Sequence, residues 1–138
     1  MFVLFNQRGF TLIELMLAFA ISAILIACSY PIYTDYQTKA ERDRAIVALM
    51  QFSARLENYF SDNDSYAGAT IRNCHAAHLM DGLHYRLKII SATDSSYEIQ
   101  AVPFGMQKAR DTHCGALILT DTNARGISGD GDVAQCWM

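Results

Sequence analysis

The sequence lacks a dense cluster of basic residues. Its 11 lysine and arginine residues are outnumbered by 14 acidic ones, so the 138-residue chain carries a formal net charge of −3. Proteins that bind nucleic acid through its phosphates usually concentrate lysine and arginine on one surface. The densest basic group here is Lys39, Arg42 and Arg44, which follows an apolar run and suits lipid headgroups or acidic neighbours better than DNA. We therefore predict no nucleic-acid partner.

A motif for catalysis is also missing. Asp111 and His113 stand beside Cys114, an arrangement that could activate a thiol nucleophile. However, no nucleophile elbow or other catalytic motif accompanies them. Internal repeats and low-complexity tracts are absent from the sequence as well. We predict a protein without enzyme activity and without a cofactor.

Two short stretches carry candidate metal ligands but no complete set. "CHAAH" places Cys74 and His78 four residues apart, which suits zinc or copper if the segment is helical, but no fourth ligand is evident. "SGDGD" contains Asp130 and Asp132 and lacks the regular spacing of an EF-hand loop. Because glycine with aspartate is typical of a solvated turn, we predict no metal site. Calcium binding by the two carboxylates stays an open alternative.

What the sequence does contain is a long apolar run with one acid inside it. The run from Phe10 to Ile32 has a single formal charge, at Glu14, and is about as long as a bilayer span requires. A carboxylate near the middle of hydrocarbon costs roughly 2.5–3.5 kcal/mol on insertion scales, so it needs a partner. Cleavage after Gly9 would create an α-amino group on Phe10, about one helical turn away. An ammonium at that spacing, or on a neighbouring chain, would neutralise the acid.

Two other interpretations of the N-terminus remain open. An ordinary secretory signal is removed after its apolar stretch, whereas this stretch continues into polar, helix-forming sequence. "LIAC", which ends at Cys28, resembles a bacterial lipoprotein cleavage box, and Cys28 would then be the lipidated first residue of a periplasmic binding module. In that case Glu14 would stand at the front edge of the apolar core, with Arg8 as its lone positive flank.

The same stretch closely resembles the type IV pilin family and its relatives, the type II secretion pseudopilins. The resemblance rests on "GFTLIE" (Gly9 to Glu14), the apolar helix behind it, Pro31 and "YTDY" (Tyr33 to Tyr36). It implies cleavage between Gly9 and Phe10 by prepilin peptidase, and N-methylation of Phe10. It also implies roles in assembly for Pro31 and for Glu14, which would meet the N-terminus of a neighbouring subunit.

The next part of the chain looks like the PilE class of minor pilins, through "RLENY" (Arg55–Tyr59) and "NDSY" (Asn63–Tyr66). This resemblance implies a structural subunit of a type IV pilus, a minor pilin in assembly, with adhesion, twitching motility or DNA uptake as roles of the whole system. Its partners would be other pilin subunits, the prepilin peptidase and methyltransferase, the inner-membrane assembly platform, and membrane lipid before assembly. It would reside in the bacterial inner membrane with a periplasmic head, and in the extracellular pilus. A type II secretion pseudopilin is the alternative.

Hydrophobic periodicity predicts an α+β architecture. Beyond Pro31, which should kink the first helix without ending it, apolar residues recur at helical spacing up to a predicted end near Ser61–Asp64. These residues are Ala45, Leu49, Phe52, Leu56 and Tyr59, broadened by Ile46, Met50 and Phe60. "HYRLKII" and "SYEIQAV" alternate like the strands of a hairpin, followed by "ALILT" and a short strand around Ile127. Segments 70–84 and 103–113 show no recognisable motif. With the resemblance, this predicts a type IV pilin fold: a long kinked helix packed on a three- or four-stranded antiparallel sheet.

These patterns divide the chain into four segments. Residues 1–9 are a cytoplasmic leader that is removed, and 10–33 are the transmembrane or filament-core half of the helix. Residues 34–63 are its amphipathic half, and 64–138 form a globular β head with a C-terminal disulfide loop.

Four cysteines suit an exported domain in an oxidising compartment. The pilin resemblance implies a bond between Cys114 and Cys136 that closes the C-terminal loop. Chain entropy assigns about 3 kcal/mol to a loop of this size. Cys74 would then be free or paired to something unseen, and a Cys74–Cys114 bond remains an alternative. Cys28, in the apolar helix, would act as a small apolar residue.

Overall fold

The computed structural model describes residues 9–138 and begins with one long helix. Helix α1 runs Leu12–Asn63 and contains Pro31, so the proline does not end it, as predicted. The end at Asn63 also agrees with the sequence. There, Ser61 and Asn63 donate side-chain hydrogen bonds to the carbonyls of Glu57 and Tyr59. The bend expected at Pro31 stays a prediction, and residues 1–8 of the expected leader lie outside the described part.

The chain forms two compact units, one that ends at Tyr36 and one that runs Gln37–Met138. In the second unit, four strands form one antiparallel sheet in the order β1-β2-β3-β4. They are β1 (Tyr85–Ala92), β2 (Tyr97–Pro103), β3 (Leu117–Thr120) and β4 (Arg125–Ile127). Each strand pairs antiparallel with the next one in the chain. Four-residue turns join β1 to β2 and β3 to β4, whereas 13 residues that include a short helix join β2 to β3. The predicted hairpin, third strand and short last strand are all present.

The core lies between the sheet and the apolar stripe of α1. Ala45, Leu49, Phe52 and Leu56 of the stripe are fully buried. From the sheet, alternate side chains enter the same core, because successive residues of a strand point to opposite faces; they are Tyr85, Leu87, Tyr97, Ile99, Ala101, Leu117 and Leu119. The prediction that Met50 belongs to the buried stripe was wrong, because Met50 is 40% exposed. It is one residue past Leu49, about 100° around the helix, and lies outside the face that the sheet covers.

Three short helices were not predicted. They are a 3₁₀ helix (Ala77–Met80), α2 (Gly105–Arg110) and α3 (Val133–Cys136). The first two fall in segments where the sequence shows no motif. Gly105 has φ +59°, a left-handed conformation that glycine adopts without a steric penalty. It lets the chain turn from the end of β2 into α2.

Candidate functional site

The N-terminus of α1 is built around a reciprocal pair, Thr11 and Glu14. The Glu14 carboxylate accepts hydrogen bonds from the Thr11 backbone N–H and from its hydroxyl, both at 2.8 Å. In return, the Glu14 backbone N–H donates to Thr11 Oγ1 at 3.3 Å. This is a capping box, which satisfies two of the amide groups left free at a helix start. This capping box was not predicted, although "TLIE" carries the Thr-x-x-Glu spacing.

Both bonds that Glu14 accepts reach one carboxylate oxygen, Oε2. Within the described part of the chain, the other oxygen, Oε1, has no hydrogen-bond partner. The carboxylate therefore caps its own helix and still has an oxygen available to a further donor. Gly9 and Phe10 precede the helix, and Phe10 is 87% exposed.

Apolar side chains in the first half of α1 are exposed around the helix. The exposed fraction is 78% for Leu12, 69% for Phe19 and 71% for Ile32. By length and composition alone, α1 is long and apolar enough to cross a membrane. Cys28 is one of the exposed side chains in this half. An apolar surface of this extent indicates contact with lipid or with other chains.

In the second unit, a buried polar network joins α1 to α2. Arg42 Nε and Nη2 donate to the two carboxylate oxygens of Asp111 at 2.8 and 2.7 Å. Tyr85 donates its hydroxyl proton to the same carboxylate at 2.8 Å. Gln107 Nε2 reaches the Thr38 carbonyl and Tyr85 Oη, both at 3.0 Å. Asp111, considered above as part of a nucleophile arrangement, therefore serves as a structural acceptor.

Burial and charge shift the pKa values in this network. Burial lowers the pKa of Arg42, but the hydrogen bond and negative charge of Asp111 raise it by more, and the net direction is upward. Burial is also the main cause that raises the pKa of Tyr85, and the Asp111 carboxylate adds to it. The network thus holds Arg42 charged and Tyr85 protonated.

The structure joins Cys114 to Cys136, 22 residues apart, in the disulfide that the resemblance implies. The loop it closes contains β3 and β4. The disulfide leaves Cys114 without a thiol. His113, the other member of the nucleophile arrangement, instead lies 3.2 Å from Asp130 through its Nδ1.

Glycines let the "SGDGD" turn lie directly against the chain before Cys114. Gly129 N–H donates to the Cys114 carbonyl at 3.1 Å, and Gly131 N–H donates to the His113 carbonyl at 2.8 Å. A Cβ atom on Gly129 would collide with the His113 carbonyl oxygen, so only glycine fits. The turn predicted here is present.

The two aspartates of that turn contact different groups. Asp130 lies against His113, and Asp132 accepts from the Ala134 backbone N–H at the start of α3. In residues 9–138, no three His, Cys, Asp or Glu side chains come together as metal ligands.

Cys74 is a buried, free thiol. Its sulfur is 3.5 Å from Asn73 Oδ1, and burial raises its pKa. His78 instead lies 3.1 Å from Arg55 through Nε2. Cys74 precedes the 3₁₀ helix that contains His78, so the two do not share the helical face on which the metal hypothesis depended.

Two family patterns match the chain. The prokaryotic N-terminal methylation motif matches residues 4–27. The family described as "Type IV minor pilin ComP, DNA uptake sequence receptor" matches residues 31–118. Together they span the first half of α1 and most of the second unit.

Characterised relatives are fimbrial proteins and pilins. The chain is 37% identical over 62 residues to a fimbrial protein of Neisseria meningitidis serogroup B, covering 45% of this chain and 36% of that protein. It is 33% identical over 99 residues to a fimbrial protein of Neisseria meningitidis serogroup A, covering 67% and 58%. It is 44% identical over 68 residues to the type IV major pilin protein PilE1 of Neisseria gonorrhoeae, covering 45% and 41%.

The chain thus spans less than two thirds of the length of each of these relatives. The ComP match, however, extends over more than half of this chain. It includes the second half of α1 from Pro31 onward, the hairpin of β1 and β2, and most of the core. The protein belongs to the type IV minor pilin ComP family.

Proposed function

We propose that this protein is a structural minor pilin of a type IV pilus. The observation that carries the proposal is that the exposed apolar residues of 10–33 continue, within the same helix, into the well-packed second unit, Gln37–Met138. In the inner membrane, lipid covers that surface, and the head lies in the periplasm. During assembly, the same surface packs against other pilin subunits in the filament core. The chain can therefore leave the membrane without exposing this apolar surface to water.

Processing comes before assembly in this proposal. Prepilin peptidase cleaves between Gly9 and Phe10, and the new amine of Phe10 is methylated. Because cleavage falls before α1, the apolar half of the helix stays on the mature chain. The methylation-motif match across residues 4–27 supports this step.

Glu14 guides assembly through its open oxygen. Oε2 is held by Thr11, and Oε1 can receive the Phe10 ammonium of the neighbouring subunit. In an apolar surrounding, such a charge pair is stronger than in water. Segment 34–63 of α1 then positions residues 64–138 as the outer head.

N-terminal sequencing and intact mass of the purified chain test this proposal. We expect a mature protein that begins at a methylated Phe10, and we expect Gly9→Val to accumulate as uncleaved precursor. Cys28→Ala is the matched control, because it should leave processing unchanged. A chain that begins at a lipidated Cys28, and whose maturation Cys28→Ala blocks, would instead identify a lipoprotein. Recovery in type II secretion filaments but not in sheared pili would identify a pseudopilin.

A second proposed role is contact with DNA during uptake, which the name of the matching family favours. It differs from the expectation drawn from the net charge, so the contact has to be local. Lys108 and Arg110 are exposed in α2 and have no salt-bridge partner among the described residues. The neighbouring acid, Asp111, is already used by Arg42. The negative charge of Asp111 therefore does not neutralise Lys108 and Arg110.

Binding of a DNA duplex, measured at several salt concentrations, tests this second role. We expect Lys108→Ala/Arg110→Ala to weaken binding and to make its dependence on salt less steep, since each lost phosphate contact lowers that slope. Arg44→Ala is the control, because Arg44 already pairs with Glu41. Equal affinity and slope in all three proteins would assign the DNA contact to other residues or to another subunit.

A further inference from the structure

The outer edge of β1 is open. The strand is the first in the sheet and pairs on one side only, with β2. Along an antiparallel strand, residues whose N–H and C=O point to the partner strand alternate with residues whose groups point away. The hydrogen bond from Phe104 N–H to the His84 carbonyl, together with the β1–β2 register, shows that His84 belongs to the first kind. The N–H and C=O groups of Tyr85, Leu87 and Ile89 therefore point away from β2. Such an edge can accept a further strand.

A groove runs along this edge and has an apolar floor. At one end is a cavity of about 360 Å³, lined by Ile71, Met80, Leu83, Leu87 and Phe104 among others. At the other end, a cavity of about 540 Å³ lies between residues 68–71 and strand residues 87–92. The two share Ile71, Leu87 and Lys88 in their linings, so they form one continuous groove beside β1. We name it the β1 groove.

One outward group of β1 is held by a weak and displaceable acceptor. The Leu87 N–H donates to the sulfur of Met80 at 3.4 Å. A thioether is a poor hydrogen-bond acceptor, and the unbranched methionine side chain changes rotamer easily. A carbonyl from an incoming strand, about 4.8 Å from β1, would satisfy this N–H better than the sulfur does.

The charges at the groove have one sign. Arg86 and Lys88 are exposed on the outer face of β1, and Arg86 stacks 5.0 Å from the centre of the Phe104 ring. The groove lining contains no carboxylate. On β2, Glu98 pairs with Ser91 of β1 and accepts a hydrogen bond from Gln100.

We propose that the β1 groove binds an extended, acidic segment of a partner protein, which adds to β1 as a fifth strand. In a strand, alternate side chains point to opposite faces. Apolar side chains of the partner would enter the floor at Ile71, Met80 and Leu83, and acidic ones would meet Arg86 and Lys88. The open backbone supplies affinity, and the alternating pockets and charges supply specificity.

Other occupants fit less well. A second copy pairing through its own β1 would bring Arg86 and Lys88 of both chains together, and like charges in adjacent strands are destabilising. DNA would match the cations but could not use the apolar floor or the strand-directed N–H and C=O groups. This inference does not depend on the pilus role.

The test uses the full-length chain in detergent micelles and a short fluorescent peptide of alternating valine and glutamate. We expect binding with Kd below about 1 mM and slower amide hydrogen exchange in residues 85–89. Methylating alternate backbone nitrogens of the peptide should abolish binding, since it removes donors without changing charge. Replacing its glutamates by lysine should weaken binding at least about tenfold, a difference of 1.4 kcal/mol.

Two protein variants complete the experiment. Arg86→Glu/Lys88→Glu should weaken binding of the glutamate peptide at least about tenfold and favour the lysine peptide. Lys39→Glu/Arg44→Glu, with the same change of charge at two exposed cations that do not line the groove, should bind like the unmodified chain. Fluorescence of Trp137, the single tryptophan, verifies that each variant is folded. The proposal is overturned if the peptide does not bind, if backbone methylation has no effect, or if a DNA duplex displaces the peptide and protects residues 85–89 in its place.

Discussion

Arg42 and Asp111 are 69 residues apart in the sequence, and their side chains form a two-pronged ion pair at 2.7 and 2.8 Å. The Asp111 side chain is 2% exposed and that of Arg42 is 15% exposed. The pair fastens the second half of α1 to the segment that leads into the disulfide loop. Removing either partner should destabilise the fold, because the other would remain as an unpaired buried charge, which is strongly unfavourable.

We therefore predict that Arg42→Ala lowers the free energy of unfolding by about 3–5 kcal/mol. The control is Arg44→Ala, because Arg44 forms an exposed pair with Glu41 at 3.1 Å and such pairs contribute about 1 kcal/mol or less. Chemical denaturation of the full-length chain in detergent, followed by Trp137 fluorescence, measures both. Equal losses in the two variants would contradict a special role for the buried pair. A double variant that adds Asp111→Asn should recover part of the loss, because it also removes the unpaired carboxylate.

Breaking the Cys114–Cys136 bond should lower the free energy of unfolding by about 3 kcal/mol, as the chain-entropy relation gives for a loop of this size. Cys114→Ser/Cys136→Ser is the variant, and Cys28→Ala is the control because Cys28 lies outside the head. Peptide mapping without reduction should find the Cys114–Cys136 link in the unmodified chain. The buried Cys74, whose pKa is raised by burial, should become alkylated only on unfolding. A dominant Cys74–Cys114 peptide would refute this pairing.

Alkaline pH should destabilise the head through Tyr66. Burial raises the pKa of Tyr66 from its ordinary value of 10 to about 12, and the hydrogen bond to the Glu57 carboxylate adds to the effect. Between pH 10 and 12 the unfolded chain loses this proton while the folded chain keeps it, so the folded state binds more protons and its stability falls as pH rises. Tyr66→Phe should flatten this decrease in part, because burial also raises the pKa values of Tyr85 and Tyr97. Denaturation midpoints across this pH range measure it, and identical slopes in both proteins would count against Tyr66 as a source.

The role of Glu14 in assembly can be separated from its role in capping α1. Glu14→Gln keeps a capping residue at the same position, since glutamine also completes a capping box, but it removes the charge. We expect Glu14→Gln and Glu14→Leu to insert in the membrane at least as well as the unmodified chain, because each removes a carboxylate that costs roughly 2.5–3.5 kcal/mol there. Both should fail to enter filaments, and Glu14→Asp should fall between them and the unmodified chain.

Sheared filaments and membrane fractions from a strain without the native copy give the comparison. If Glu14→Gln enters filaments normally and Glu14→Leu does not, the cap rather than the charge is what assembly requires. Normal entry of both would show that neither is needed.

Much of this architecture was determined by the sequence alone, because its signals are local. The helical spacing from Ala45 to Leu56, the polar end of α1 and the alternation in β1 and β2 each depend on a few consecutive residues, and the structure confirms them. The N-terminal motif is equally local, and it led to the family before any contact was known. The capping box of Thr11 and Glu14 is equally local, since its Thr-x-x-Glu spacing lies within four consecutive residues.

Only the tertiary structure decided which distant groups meet. Arg42 lies on a helix with several other charged residues, and its sequence neighbours do not distinguish it from Arg44. It becomes buried because α2, a helix of six residues with no periodic signal, brings Asp111 to it. The β1 groove is similar, since its walls come from a loop, a 3₁₀ helix and a strand edge. Long-range contacts of this kind depend on how elements pack together, and residue spacing along the chain does not encode that packing locally.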